Sequence, residues 1–162
     1  LSLKIKNKRE RALASIDPAD SENDLVEYRT YKWGPEQLLA TAMDEFQSKQ
    51  FEKSSQFFKT LMMHHPYHRI LTDEVFFIFG VSAFESKKYD DWASESFNNI
   101  IKNHPKSPYF RGAKLWKGLL QLRTGRSREF FSVVEEFRKK YRNTREWKLI
   151  SRHYNDIYKK YR

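Results

Sequence analysis

The chain of 162 residues contains no cysteine, which removes disulfide staples, thiolate metal sites and cysteine nucleophiles from consideration. Glycine and proline are also scarce, at five each, so the turn-rich composition of a many-stranded β fold is missing and helices are favoured. Long apolar runs are absent too. The most apolar window, Val75 to Phe84, is far shorter than the ~20 residues a bilayer-spanning helix requires and reads as a buried helix. No glycine-rich phosphate loop, H-E-x-x-H pair or Ser/His/Asp ordering occurs. The expectation is therefore a non-enzymatic protein with no cofactor and no catalytic residues. The chain starts at Leu1 without a charged-then-apolar leader, which suggests a processed form or a trimmed piece.

What is present is bulk and positive charge. Aromatic residues make up 16% of the chain, enough to fill the core of one domain of this length. The formal charge of +10 is unevenly spread. Residues 138–162 carry ten Lys or Arg against Glu146 and Asp156, and the opening LSLKIKNKRERALASI is also basic. The block DPADSEND that follows that opening is acidic. A basic face of this kind attracts an anionic membrane, an acidic protein or nucleic acid.

Two stretches divide the chain. KTLMMHHPYHRILTDEVFFIFG (59–80) and NNIIKNHPKSPYFRGAKLWKG (98–118) both run from an apolar helical pattern through His-Pro to a glycine. Aligning them pairs Phe51 with Tyr89, Phe58 with Phe97, Leu61 with Ile100, Pro66 with Pro105 and Gly80 with Gly118, always 38 or 39 positions apart. Within each unit the apolar residues fall at helical spacing, so each unit is a pair of helices. A third, weaker copy holds Gly118, Gly125, Phe130, Val134, Phe137 and Tyr141. Helix-start signals agree: Gly34-Pro35, Thr72 before Asp73 and Glu74, Ser107-Pro108, and Thr144 before Arg145 and Glu146. The spacing predicts helices over 35–49, 51–64, 72–87, 89–103, 108–124, 127–141 and 144–161. Trp147, Ile150, Tyr154, Ile157 or Tyr158, and Tyr161 form one stripe of the last, as a lid over an open final repeat would need. Gly80 and Gly118 inside helices imply close approach of a neighbour. Residues 1–34 fall outside the repeat; DLVEYRTYKWG is aromatic enough to pack across the first pair or to dock on a partner.

These residues resemble tetratricopeptide repeats. The first copy supplies Ala42, Phe51, Ser54, Phe58, Leu61 and Pro66; the second supplies Gly80, Tyr89, Ala93, Phe97, Ile100 and Pro105, with one extra residue after Tyr89. The third supplies Gly118, Phe130, Val134 and Phe137 without the aromatic opener or the Pro. HPKSPYFRGAKLWKG is similar to the junction of the bacterial envelope branch, which includes the β-barrel assembly lipoprotein and the Tol-Pal accessory protein. The resemblance implies an all-α, TPR-like α-solenoid of three helix pairs (35–143), followed by a basic capping helix (144–162). It further implies a scaffold of an envelope complex on the periplasmic side, or else a cytoplasmic protein. Such repeats bind a peptide or helix of a protein partner in a concave groove, here lined by Leu39, Met43 and Phe46, then Phe77, Val81 and Phe84, then Leu115, Leu119 and Leu122. The same groove can be filled by the chain's own terminal segments. Leu39 and Met43 stand where chaperone-binding members carry a Lys and Asn clamp, which argues against that class of partner.

Other clusters are weaker candidates. His64, His65 and His68 form H-H-x-x-H at a helix end, where the side chains diverge and no carboxylate is near until Asp73, so no metal site is expected. Asp90-Asp91 and Glu135-Glu136 face apart on helices and suit a solvated surface. Arg145, Lys148, Arg152 and Lys159 are the basic residues best placed to meet an anionic membrane or an acidic partner. The alternative function is a basic helical-repeat protein associated with nucleic acid, although tyrosines confined to one stripe suit burial better than stacking on bases.

Overall fold

A computed structural model describes residues 32–162, so the basic opening, the acidic block and most of DLVEYRTYKWG lie outside the described residues. All regular structure among the described residues is helical: α1 (Pro35–Gln47), α2 (Phe51–His64), α3 (Asp73–Ser86), α4 (Asp90–Asn103), α5 (Phe110–Arg123), α6 (Ser127–Lys140), α7 (Arg145–Ser151) and α8 (Tyr154–Tyr161). The chain divides into two compact units, one ending at Ile70 and one spanning Leu71–Arg162. In the first unit α1 packs on α2. In the second, each of α3 to α6 packs on the next, and α3, α5 and α7 also touch in succession. Within the second unit the pairs thus stand in a row, α3 beside α5 and α5 beside α7.

The repeat is visible in the backbone itself. Three-residue turns join the helices of each pair at 48–50, 87–89 and 124–126. Each turn contains one left-handed residue, Lys49 (φ 60°), Lys87 (φ 59°) or Gly125 (φ 85°). The second helix of each pair ends on a non-helical residue of nearly constant geometry: His65 (φ −135°, ψ 58°), His104 (φ −132°, ψ 57°) and Tyr141 (φ −126°, ψ 37°). Proline after His65 and His104 disfavours the helical region at those residues, and Tyr141 reaches the same turn without one. The third copy, weak in sequence, is thus complete in structure. Helix starts follow the cap signals: Pro35 follows Gly34, and the hydroxyls of Thr72 and Thr144 accept the N–H groups of Val75 (3.3 Å) and Trp147 (3.2 Å).

The buried residues are those the repeat aligns. Ala42, Gly80 and Gly118 are buried on the first helices, as are Ser54/Phe58/Leu61, Ala93/Phe97/Ile100 and Phe130/Val134/Phe137 on the second. The Ser54 hydroxyl donates to the Ala42 carbonyl at 2.8 Å, satisfying a buried polar group in the first pair. At Gly80 a Cβ would lie 2.6 Å from the Phe97 ring, and at Gly118 one would lie 3.2 Å from Val133. The expected close approach is present at both. Trp33, at the end of the aromatic N-terminal stretch, stacks on Phe57 of α2 with ring centroids 5.9 Å apart.

Two expectations are corrected. Residues 144–161 do not form one helix: the chain turns at Arg152 and His153, where the His153 N–H bonds the Ile150 carbonyl, three residues back. The break lets α7 lie beside α5 while α8 turns back along α6, with Tyr161 against Phe130, Tyr158 against Phe131 and Tyr154 at Glu135. One straight helix cannot follow both neighbours. The stripe resolves in favour of Ile157, which packs on the core cluster of Phe130, Val134, Phe137 and Ile150, while Tyr158 is left 40% exposed. Second, Ser107-Pro108 does not open α5. It forms a tight turn closed by the Phe110 N–H on the Ser107 carbonyl, and the helix begins at Phe110.

Gly80→Ala should destabilise the protein by about 1–3 kcal/mol in urea denaturation, because overpacking against Phe97 outweighs the ~1 kcal/mol gained in helix propensity. Gly118→Ala should cost less, since Val133 is further away.

Candidate functional site

The junction HPKSPYFRGAKLWKG builds the seam between α3 and α5. The Ser107 hydroxyl donates to Asp73 Oδ2 at 2.5 Å and accepts the Tyr109 N–H at 3.0 Å. The Ser107 hydrogen bond, with help from the Glu74 N–H and nearby His104, holds the Asp73 carboxyl below its ordinary range despite partial burial. Tyr109 stacks on Phe77 at 5.0 Å, and a Cβ on Gly112 would sit 3.1 Å from the same ring. Further along, Trp116 meets Phe84 edge-on at 5.1 Å and lies parallel to Phe97 at 6.5 Å. Arg123 stacks 4.0 Å over the Phe84 ring, donates to the Phe84 carbonyl and pairs with Asp90. Ser107, Tyr109, Gly112 and Trp116 of this motif are therefore spent on holding one helix pair against the next.

All nine residues expected to line a groove are half-buried, at corresponding places on three first helices. Leu39, Met43 and Phe46 lie on α1 in the first unit; Phe46 also meets Phe51 edge-on at 5.7 Å. Phe77 and Phe84 sit on the α3–α5 seam just described, and Val81 lies one turn from each. Leu115, Leu119 and Leu122 pack against the cluster of Phe130, Val134 and Phe137 on α6 and Ile150 on α7, on which Trp147, Tyr154 and Ile157 also pack. In the second unit the chain's own α6 and α7 thus take up part of what the sequence offers as groove. What remains is a row of partly exposed apolar edges.

The basic candidates Arg145, Lys148, Arg152 and Lys159 are all exposed. His65 stands between His64 and His68 with ring centroids 6.5 and 6.3 Å away, and the His68 Nδ1 accepts the Ile70 N–H at 3.0 Å. Among the described residues no group of three His, Asp or Glu side chains is placed to hold a metal ion. His104, in the matching junction, lies against Phe76.

The paired carboxylates point apart, but they are struts more than solvated decoration. Asp90 pairs with Arg123 and Glu136 with Lys114 at 2.6 Å, while Asp91 is exposed. Glu135 takes two hydrogen bonds from Arg138, at 2.9 and 2.8 Å, and one from the Tyr154 hydroxyl. Glu135 and Arg138 are three residues apart on α6, whereas Tyr154 reaches Glu135 only because α8 doubles back. On the α4, α5 and α6 side, a shallow recess of ≈ 250 Å³ is bordered by Ile101, Lys117, Gln121, Ser132 and the Lys114–Glu136 pair. No protein-family model, curated protein or solved structure matches this chain.

Desolvation pushes the Glu135 carboxyl up, but the hydrogen bonds from Arg138 and Tyr154 outweigh it and leave it below its ordinary range. A group lowered in this way stabilises the fold above the ordinary carboxylate pH range, and that stabilisation is lost as pH falls through it. The melting temperatures of the wild type and Glu135→Gln should differ at pH 7, and the difference should shrink as pH falls from the ordinary carboxylate range down through the lowered value of the folded state.

Proposed function

We infer that the chain is a helical-repeat interaction module of tetratricopeptide type, which holds a segment of a protein partner and performs no chemistry of its own. The reading is carried by one observation: an apolar trio recurs every 38 residues on three successive first helices, at 39/43/46, 77/81/84 and 115/119/122, and every member is half-buried. Apolar edges in that state suit an amphipathic helix or an extended apolar segment, which would complete their burial. Phe77 and Phe84 build the seam, so Val81 is the member of its trio freest to meet a partner, and Met43 holds the matching position on α1. An envelope setting, as part of a multi-protein complex, rests on the likeness of HPKSPYFRGAKLWKG to the envelope branch.

Affinity capture from native bacterial membranes, read by mass spectrometry, tests the module. Val81→Asp and Met43→Asp should each remove the captured partner, lowering recovery by at least about tenfold as a charge replaces buried apolar contact. Helical circular dichroism should be unchanged. Undiminished recovery by both variants contradicts the use of these edges.

A further inference from the structure

The surface of α7 carries an arrangement that neither packing nor the partner-binding edges explain. Its inward residues are accounted for: Trp147 and Ile150 join the C-terminal cluster, and Glu146 pairs with Arg111 at 3.3 Å. The outward residues Arg145, Lys148, Leu149 and Arg152 stand at i, i+3, i+4 and i+7, one stripe of a helix, and Arg152 keeps helical geometry (φ −59°, ψ −28°). Leu149 is 59% exposed within that stripe. None of the three cations has a carboxylate partner among the described residues, since Glu146 is bound to Arg111 and Glu135 to Arg138. On α8, Tyr158 is 40% exposed beside Lys159, and the Arg162 guanidinium sits 5.2 Å from its ring.

We propose that the α7 stripe is a docking site for an anionic phospholipid bilayer, with Arg145, Lys148 and Arg152 at the headgroup phosphates and Leu149 inserted at the acyl boundary. Long cationic side chains spread to the headgroup level while a neighbouring apolar chain sinks between them, a division of labour that water alone does not reward. Charge complementarity selects the anionic surface, and each cation strengthens the attraction separately. Nucleic acid would use the cations equally but gives an aliphatic leucine nothing to stack on.

Co-sedimentation of the full chain with vesicles of phosphatidylglycerol and phosphatidylcholine, against phosphatidylcholine alone, decides the question. Binding should require the anionic lipid. The triple variant Arg145→Gln, Lys148→Gln, Arg152→Gln should bind at least about tenfold more weakly. Leu149→Gln, which leaves the charge intact, should also weaken binding, by roughly threefold or more, as apolar insertion is lost. A tryptophan at position 149 (Leu149→Trp) should show a blue-shifted emission difference from the parent chain only with anionic vesicles. Circular dichroism controls for folding, and all four side chains are exposed. Equal binding by wild type and triple variant overturns the proposal, as does failure to bind anionic vesicles at low salt. Wild-type affinity of Leu149→Gln for vesicles, or duplex DNA bound in preference to them, overturns it as well.

Discussion

The second unit depends on the contact between a ring and a missing side chain. Phe97 on α4 is fully buried, lies where the Cβ of any larger residue at position 80 would be, and borders both Phe77 of α3 and Trp116 of α5. One side chain therefore fixes the separation of three helices. Its burial contributes roughly 1.5–3 kcal/mol, and truncation would add a cavity penalty at the junction of the two pairs. The helices around it are individually about four turns long, too short to be stable alone in water, so their existence follows from such contacts more than from propensity.

Much of this was legible in the sequence. Helix identity followed from apolar spacing, and Gly80 and Gly118 announced close approach because an interior helical glycine is costly without one. The alignment of Phe58 with Phe97, and of Leu61 with Ile100, marked buried positions because equal packing sites select similar volumes. Other features were hidden. Lys49 and Lys87 adopt left-handed turns that lysine does not advertise. The break at Arg152–His153 carries neither proline nor glycine, and only the demands of α5 on one side and α6 on the other impose it. Glu135–Tyr154 was invisible for the same reason.

The candidate surfaces were only half legible. Residue type and spacing picked out the nine apolar positions, but whether such a residue faces a partner or the chain's next helix depends on how close that helix comes. Phe77 and Phe84 are drawn into the seam by Tyr109, Gly112 and Trp116, and the leucines of α5 are drawn onto the cluster that α6 forms with Ile150 of α7. The basic candidates fared differently. Solvent exposure of Arg145, Lys148 and Arg152 follows directly from Trp147 and Ile150 facing inward on the same short helix. Leu149 drew no notice in the sequence, because a single leucine among charges looks like part of the buried stripe until the direction of that stripe is known.

Because α3 to α8 pack chiefly on their neighbours and next-but-one neighbours, the second unit is held together as a chain of adjacent links. Loosening at the free end need not travel. Fraying of α8 would bare Phe130 and its surroundings while Phe97 stayed sealed between α3 and α5, so amide protection should decline in steps toward the C-terminus. The bonds joining Glu135, Arg138 and Tyr154 then act as the clasp that keeps this zipper from opening at its last teeth.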